Sequence, residues 1–140
     1  MSLNTIKSTL DQELYANITD VVIKNENSLV YTLNSVPIPT ADINNLEFFI
    51  LPKIVPITQD DELISGGDTI NTRGFYQVEI FVKKGVGTGD ALTMEERLNT
   101  LYRNALVSDV TCENTSVLSP FEDGEWYVTV WRVTSREWGS

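Results

Sequence analysis

Residues 73–102 read RGFYQVEIFVKKGVGTGDALTMEERLNTLY and carry the clearest structural signal in this 140-residue chain. In the first part, successive side chains of the predicted strand point to alternate faces. One face carries Tyr76, Val78, Ile80 and Val82, and the other carries Phe75, Gln77, Glu79 and Phe81. The second part spaces its apolar residues three and four apart, at Ala91, Met94, Leu98, Leu101 and Ala105. This change of period predicts a strand, a tight turn and an amphipathic helix of about four turns.

The turn between them, residues 83–90, reads KKGVGTGD. Lysines and glycines before a helix can hold a phosphate, but the Walker motif places its lysine after the glycines. Here Lys83 and Lys84 come first, and Asp90 at the helix start would repel a phosphate. The G-x-G-x-x-G pattern of dinucleotide sites is also not met. The sequence therefore favours a structural turn, with Thr88 or Asp90 capping the helix, over a nucleotide site.

Length and charge limit the possible functions. A chain of 140 residues predicts one domain, and no apolar run or N-terminal signal predicts a membrane span or secretion. Twenty Asp and Glu residues against ten Lys and Arg residues give a net charge of −10. Sequence-specific DNA binding is not expected, because it normally needs a basic face that neutralises phosphates. The single cysteine, Cys112, is interpreted as a partly buried side chain and not as a reactive thiol.

The residues that most enzymes use are scarce. The chain has no histidine, which removes the commonest general base, His-dependent nucleophilic catalysis and most transition-metal sites. Adjacent acids at 60–62 lack the alternating oxygen spacing of a dedicated calcium loop. We therefore predict no catalytic residue, cofactor or metal. A small nucleotide-handling or carbohydrate-active enzyme, which would use the glycine turn or the acids, is the less favoured alternative.

The N-terminal third predicts a helix followed by short strands. Leu3, Ile6, Leu10 and Leu14 form one apolar stripe of a helix that ends near Asn17, with Ser2 as its N-cap. The runs DVVIK and SLVYTL then flank the polar NENS and predict a hairpin.

Residues 44–57, NNLEFFILPKIVPI, predict a long strand. Pro52 and Pro56 are four residues apart, so in an extended chain their missing N–H groups lie along the same side. We therefore expect residues 47–57 to form an edge strand, or one that leaves the sheet near Pro52.

The segment that follows, residues 58–72, is the most loop-like part of the chain. It contains Asp60, Asp61 and Glu62 together with a Gly-Gly pair, and it predicts a flexible loop or hairpin arm. A mobile surface hairpin and a partner-binding arm both remain open. Two further strands are predicted in DVTCENTSVL, residues 109–118, and GEWYVTVWRVTSREW, residues 124–138.

Together these elements predict an α/β (α+β) fold in a single domain spanning 1–140. The expected architecture is a mixed, mostly antiparallel sheet of four to five strands with two main helices packed on it.

Three blocks, in this order after an N-terminal helix, carry a family resemblance: VPIPTADINNLEFFILPKIVPI (36–57), RGFYQVEIFVKKGVGTGDALTMEERLNTLY (73–102) and DGEWYVTVWRVTSREW (123–138). They resemble the tail terminator or tail completion proteins of long-tailed bacteriophages. The most specific part is the Gly-aromatic-Gln-Val strand followed by a Lys-Gly-x-Gly turn and an amphipathic helix. The resemblance implies a homo-oligomer, a hexameric ring that caps the tail tube and stops its polymerisation. It implies no catalytic residues.

The expected partners follow from that resemblance. They are further copies of the chain, the tail tube protein, and the head–tail connector or neck proteins, with DNA passing through the ring without sequence-specific binding. No membrane partner is expected, and the expected location is the virion tail or neck, after assembly in the host cytoplasm. The candidate interface residues are Asp60, Asp61, Glu62, Arg73, Lys83, Lys84, Phe121 and Trp138. Another neck, head-completion or tail tube component, or a binding module of unknown ligand, is the alternative.

Overall fold

The computed structural model describes residues 3–26, 28–57, 71–87 and 89–138. Its helices are α1 (Leu3–Asn17), α2 (Thr40–Ile43) and α3 (Gly89–Tyr102). Its strands are β1 (Ile23–Lys24), β2 (Tyr31–Leu33), β3 (Val36–Pro37), β4 (Phe48–Pro56), β5 (Asn71–Lys83), β6 (Leu106–Val107), β7 (Val110–Asp123) and β8 (Trp126–Trp138).

All eight described strands join one sheet in the order β3-β2-β1-β4-β5-β8-β7-β6. β1 and β4 run parallel, and the other described pairs are antiparallel. The predicted fold, with four to five strands and two main helices, is therefore wrong: the chain is β-rich, with eight strands and three helices in its described parts. The error has a physical reason. Strands of two or three residues and a helix of four are too short to show a period in the sequence.

Strand β5 is central because both of its sides are paired over most of its length. It pairs with β8 from Asn71↔Trp138 to Lys83↔Trp126, and with β4 from Pro56↔Gly74 to Phe48↔Val82. The segment that showed the clearest alternation in the sequence thus forms the middle of the sheet.

Helices α1 and α3 pack on one face of this sheet and enclose the core. Buried helix residues are Ile6, Leu10 and Leu14 from α1 and Ala91, Met94, Leu98 and Tyr102 from α3. They meet the buried strand residues Tyr76, Val78, Ile80, Val82, Trp131 and Val133. Both predicted amphipathic helices are confirmed, as is the predicted hairpin between β1 and β2.

The prediction that residues 47–57 form an edge strand, or one that leaves the sheet near Pro52, is wrong, because β4 lies between β1 and β5 and stays paired with β5 as far as Pro56↔Gly74. β1 nevertheless pairs with β4 only at Ile23↔Ile50. The Ile50 N–H donates to the Val22 carbonyl at 3.0 Å, on the side of β4 away from β5. Since N–H groups alternate between the two sides of a strand, Pro52 and Pro56 place their missing donors on that same outer side.

Several predictions concern residues outside the described ranges. Of the predicted loop at 58–72, residues 71 and 72 belong to β5, and 58–70 lie outside the described residues. The same holds for Ser2 and Thr88, which the sequence analysis considered as helix caps.

Candidate assembly interface

The glycine turn after β5 is a structural turn. Gly85 and Gly87 have φ angles of 91° and 98°, a region that residues with a side chain rarely adopt. The Val86 N–H donates to the Lys83 carbonyl at 3.2 Å and closes the turn. A cavity of about 180 Å³ lies beside it, with a mainly apolar lining that includes Val82, Ala91 and Tyr127.

Both lysines of this turn are engaged with acids of the β7–β8 hairpin. Lys83 Nζ lies 3.9 Å from Glu125 Oε2, and Lys84 Nζ lies 3.3 Å from Glu122 Oε2. The backbone N–H of Lys84 also donates to the Glu125 carbonyl at 2.9 Å. These lysines therefore connect the turn to the neighbouring hairpin through two ion pairs and one backbone hydrogen bond. Because the pairs are exposed, each contributes only about 0–1 kcal/mol.

Three of the candidate interface residues lie close together, where β5 and β7 end and β8 begins. Lys83 pairs in register with Trp126 at the start of β8, Lys84 follows it, and Phe121 pairs with Val128. The Phe121 ring is exposed on β7, in the part of that strand that β6 does not pair with. The structure thus brings together the glycine turn, the end of β7 and the β7–β8 turn.

Arg73 and Trp138 lie at the opposite end of these strands, where β5 begins and β8 ends. Arg73 is exposed and pairs in register with Arg136 of β8, and the backbone of Trp138 pairs with Asn71. Arg136 Nε lies 3.1 Å from Glu113 Oε1, which balances one of the two neighbouring positive charges. The remaining candidates, Asp60, Asp61 and Glu62, lie outside the described residues.

On the sheet face opposite α1 and α3, side chains of neighbouring strands pack against one another. Phe49 and Phe81 stack with their ring centroids 4.5 Å apart and their planes 8° from parallel. Trp126 meets Phe49 edge-on at 5.0 Å. On the same face, Lys53 Nζ and Glu79 Oε1 are 2.6 Å apart. Aromatic packing and one close ion pair thus stabilise this face of the sheet.

On the helix side of the sheet, hydrogen bonds link the helices to the strands and α3 to α1. The fully buried Tyr76 hydroxyl donates to Asp11 Oδ1 of α1 at 2.5 Å, and the Tyr102 hydroxyl donates to the Leu10 carbonyl at 2.7 Å. Burial, reinforced by the neighbouring Tyr102 and the Asp11 carboxylate, raises the pKa of Tyr76 well above its usual range. The indole N–H of Trp131 donates to Asn99 Oδ1 of α3 at 2.9 Å. These bonds fix the positions of both helices on the sheet.

Cys112 is buried on β7, which confirms its interpretation as a packed side chain. Burial raises the pKa of its thiol to about 12, so the thiol is protonated at neutral pH.

Of the exposed large apolar residues in the described parts, only Phe121 is among the predicted interface residues. Eleven large apolar side chains are exposed among the described residues. At one edge of the sheet, Leu33 on β2 and Val36 on β3 are exposed opposite each other, whereas Leu29 and Val30 precede β2, and Leu29 lines a cavity with Leu51 and Lys53 of β4. Near the other edge, Val117, Leu118 and Phe121 are exposed along β7, whereas Leu106 of β6 lies beside Thr111, at the far end of β7 from Phe121. Their signal was present in the sequence as apolar residues in short runs that flank polar turns, but such runs do not distinguish a core side from a surface side.

Two further tests of the described parts concern metals and membranes. No group of three or more His, Cys, Asp or Glu side chains is placed to hold a metal ion there. Each helix in those parts falls short of the length and apolar character that crossing a bilayer requires.

Comparison with known proteins identifies a fold and no function. No protein family model matches the chain, and no curated protein matches its sequence. One solved structure, named only by a sequence identifier, is similar with a TM-score of 0.65 and 15% identity. The similarity covers 98% of this chain and 96% of that one. The shared fold therefore extends over nearly the whole length of both chains, and the name of the similar structure states no activity.

Proposed function

We propose that this chain is a structural subunit of a phage virion. Copies of it assemble into a ring, expected to contain six subunits, that caps the end of the tail tube. The ring stops tube polymerisation and presents its opposite face to the connector or neck proteins of the head. The chain acts by binding surfaces and catalyses no reaction.

One observation carries the proposal: an acidic chain exposes neighbouring apolar side chains near each edge of one sheet, namely Leu33 and Val36 on β2 and β3, and Val117, Leu118 and Phe121 on β7. Contiguous exposed apolar surface on a soluble protein marks sites of protein association. A ring of identical subunits needs two different surfaces on each subunit, because every copy contacts one neighbour with each of them. The exposed apolar side chains near the two edges of the sheet offer two such different surfaces.

The family resemblance supports the same proposal from the sequence. Its three blocks fall on β3 to β4, on β5 with the glycine turn and α3, and on β8. Strands β4, β5 and β8 form the middle of the sheet, β3 lies at its edge, and α3 is one of the two helices that pack on it. The resemblance thus concerns the framework of the fold and not an isolated motif.

The charges agree with DNA passing through such a ring without adhering. Six of the ten basic side chains are in ion pairs with acids, namely Lys7, Lys53, Lys83, Lys84, Arg97 and Arg136. A cation paired within the protein is less available to replace the counterions of a phosphate, and the net charge of −10 repels DNA at long range. Titrating fluorescent duplex DNA with the protein at low salt should give no saturable binding. Saturable binding would contradict this part of the proposal.

The function itself is tested by deleting the gene from its native phage and imaging the products by electron microscopy. Tails of uncontrolled length are the expected result, and the wild-type gene supplied in trans should restore normal length. Tails of normal length that are detached from heads would instead assign the chain to the neck. Normal virions would refute both assignments.

A further inference from the structure

Three arginines lie together on the sheet face opposite α1 and α3. Tyr76 of β5 packs in the core against the helices, and side chains alternate along a strand, so residues 73, 75 and 77 point to the other face. The residues of β8 that pair with them share that face. This surface, the arginine patch, places Arg73 opposite Arg136, Phe75 opposite Thr134, and Gln77 opposite Arg132. Because the three pairs follow one another in register on two adjacent strands, the patch is continuous.

The positive charge of the arginine patch is only partly balanced within the protein. Arg136 forms an ion pair with Glu113. Among the described residues, no acid forms an ion pair with Arg73 or Arg132. Arg73 is exposed and lies directly opposite Arg136, an arrangement in which the two like charges repel each other. The patch thus concentrates positive charge on a chain whose net charge is −10.

Arg132 is held in place by the ring of Phe75. Its Cζ lies 4.3 Å from the Phe75 ring centroid, so the guanidinium rests on the ring. Its Nε is buried and has no hydrogen-bond partner among the described residues. The fold has therefore taken part of a charged donor out of water without supplying an acceptor, which costs stability. The side chain as a whole is only half-buried, so an anion can still pair with the guanidinium and offset that cost.

The geometry of the patch favours a peptide with carboxylates over a nucleic acid. Arg132 pairs with Gln77, four residues along β5 from Arg73, so the two arginines are about 13 Å apart along the strands. An extended peptide in which every second residue is acidic presents carboxylates on one side at about 7 Å intervals, which matches that spacing. Single-stranded nucleic acid binds instead by stacking its bases on open aromatic rings, and the Arg132 guanidinium already covers Phe75.

We propose that the arginine patch binds an extended acidic segment of a partner protein, whose carboxylates pair with Arg132 and Arg73. Arg132 is the stronger anchor, because its guanidinium is fixed on the Phe75 ring and presents a planar pair of donors to a carboxylate. The inference goes beyond the proposed ring and does not rest on it, because a single subunit carries the whole patch.

The test measures the fluorescence anisotropy of a fluorescein-labelled peptide of alternating glutamate and serine, titrated with the full chain at low salt. The wild-type chain should bind it saturably, and the same peptide with glutamine in place of glutamate should not bind. Arg132→Gln should weaken binding about tenfold, and Arg73→Gln, at a more exposed side chain, about threefold. Phe75→Leu keeps every charge but removes the ring under the guanidinium, and should weaken binding about threefold. Arg103→Gln, at an exposed arginine just after α3, removes the same charge outside the patch and should change the affinity less than about twofold.

Four results would overturn the inference. They are no binding by the wild-type chain, equal losses in Arg103→Gln and Arg132→Gln, an unchanged affinity in Phe75→Leu, and tighter binding of an oligothymidylate of the same net charge, which would assign the patch to nucleic acid. Far-UV circular dichroism checks that each variant is folded. If Arg132→Gln is not, Arg132→Lys replaces it: the charge remains but the planar fork is lost, and the affinity should fall about threefold. An unchanged affinity in that variant would likewise reject the assigned role of the guanidinium.

Discussion

Replacing Tyr76 with Phe removes a single oxygen from the centre of the fold and should lower its stability measurably. The Tyr76 side chain is fully buried on β5, and its hydroxyl donates to Asp11 Oδ1 at 2.5 Å. This bond joins α1 to the sheet across 65 positions of the sequence. The substitution keeps the ring packing and leaves the Asp11 carboxylate with one donor fewer.

The expected size follows from the surroundings of Asp11. A hydrogen bond to a charged acceptor contributes about 1.5–3 kcal/mol to stability. Two features reduce the loss: Lys7 Nζ remains 2.5 Å from Asp11 Oδ2, and the Asp11 side chain is 17% exposed, so water reaches it. We therefore expect Tyr76→Phe to lower the free energy of unfolding by about 1–2 kcal/mol.

Urea unfolding followed by circular dichroism measures this loss. With a slope near 2 kcal/mol per molar urea, the midpoint should fall by roughly 0.5–1 M. Tyr102→Phe is the matched control, because that hydroxyl donates to the uncharged Leu10 carbonyl and its loss should cost about 0.5–1 kcal/mol. If Tyr76→Phe unfolds at the wild-type midpoint, or if Tyr102→Phe loses more, the charged acceptor does not have the role assigned to it.

Three further predictions concern backbone space, the buried thiol and the open side of β4. Gly74→Ala should destabilise the fold by about 1–3 kcal/mol, because the added Cβ would lie 2.9 Å from Leu3 Cδ2 and 3.2 Å from the Val55 carbonyl oxygen. Gly89→Ala, which meets nothing within 4 Å at the start of α3, should be neutral or slightly stabilising in the same urea titration, and equal losses would refute the crowding argument. Cys112 should react with a thiol reagent at pH 8 much more slowly in the native protein than in urea, and equal rates would show that the thiol is accessible. Since folding raises its pKa from 9.0 to about 12, its contribution to stability is complete below pH 9 and is lost as the pH rises towards 12, a loss that Cys112→Ala should reduce. Restoring two backbone donors with Pro52→Val and Pro56→Thr should increase concentration-dependent light scattering, whereas unchanged scattering would show that these prolines do not protect the outer side of β4.

The sequence could predict those elements whose pattern repeats over several turns or pleats. Helix α1, helix α3 and strand β5 each bury a stripe of the predicted residues, because a long amphipathic element has only one way to hide its apolar side. The glycine turn was also predictable from the sequence. Its lysines precede the glycines, whereas the Walker motif of a nucleotide site has its lysine after them. The structure agrees, because Gly85 and Gly87 have positive φ angles that favour glycine.

The rest depended on contacts that local patterns do not contain. The two prolines of β4 suggested an edge strand, but a single parallel pairing at Ile50 places β4 inside the sheet. The hydrogen bond between Tyr76 and Asp11 joins β5 to α1. The local pattern of each element predicts its secondary structure, but neither pattern predicts a contact between these two side chains. The exposed apolar residues at the edges of the sheet were missed for a third reason. An apolar residue in a strand is normally taken as core, but Val36 on β3 and Leu106 on β6 lie on the two outermost strands of the sheet.

The central claim is that the chain works by assembling with itself, and the mass of the purified wild-type protein tests it most directly. Native mass spectrometry over a range of concentrations should find a closed species of six copies of the 15.7 kDa chain, about 94 kDa, and no continuing series of larger assemblies. A single species of 15.7 kDa at every concentration, or an unlimited series of polymers, would contradict the account.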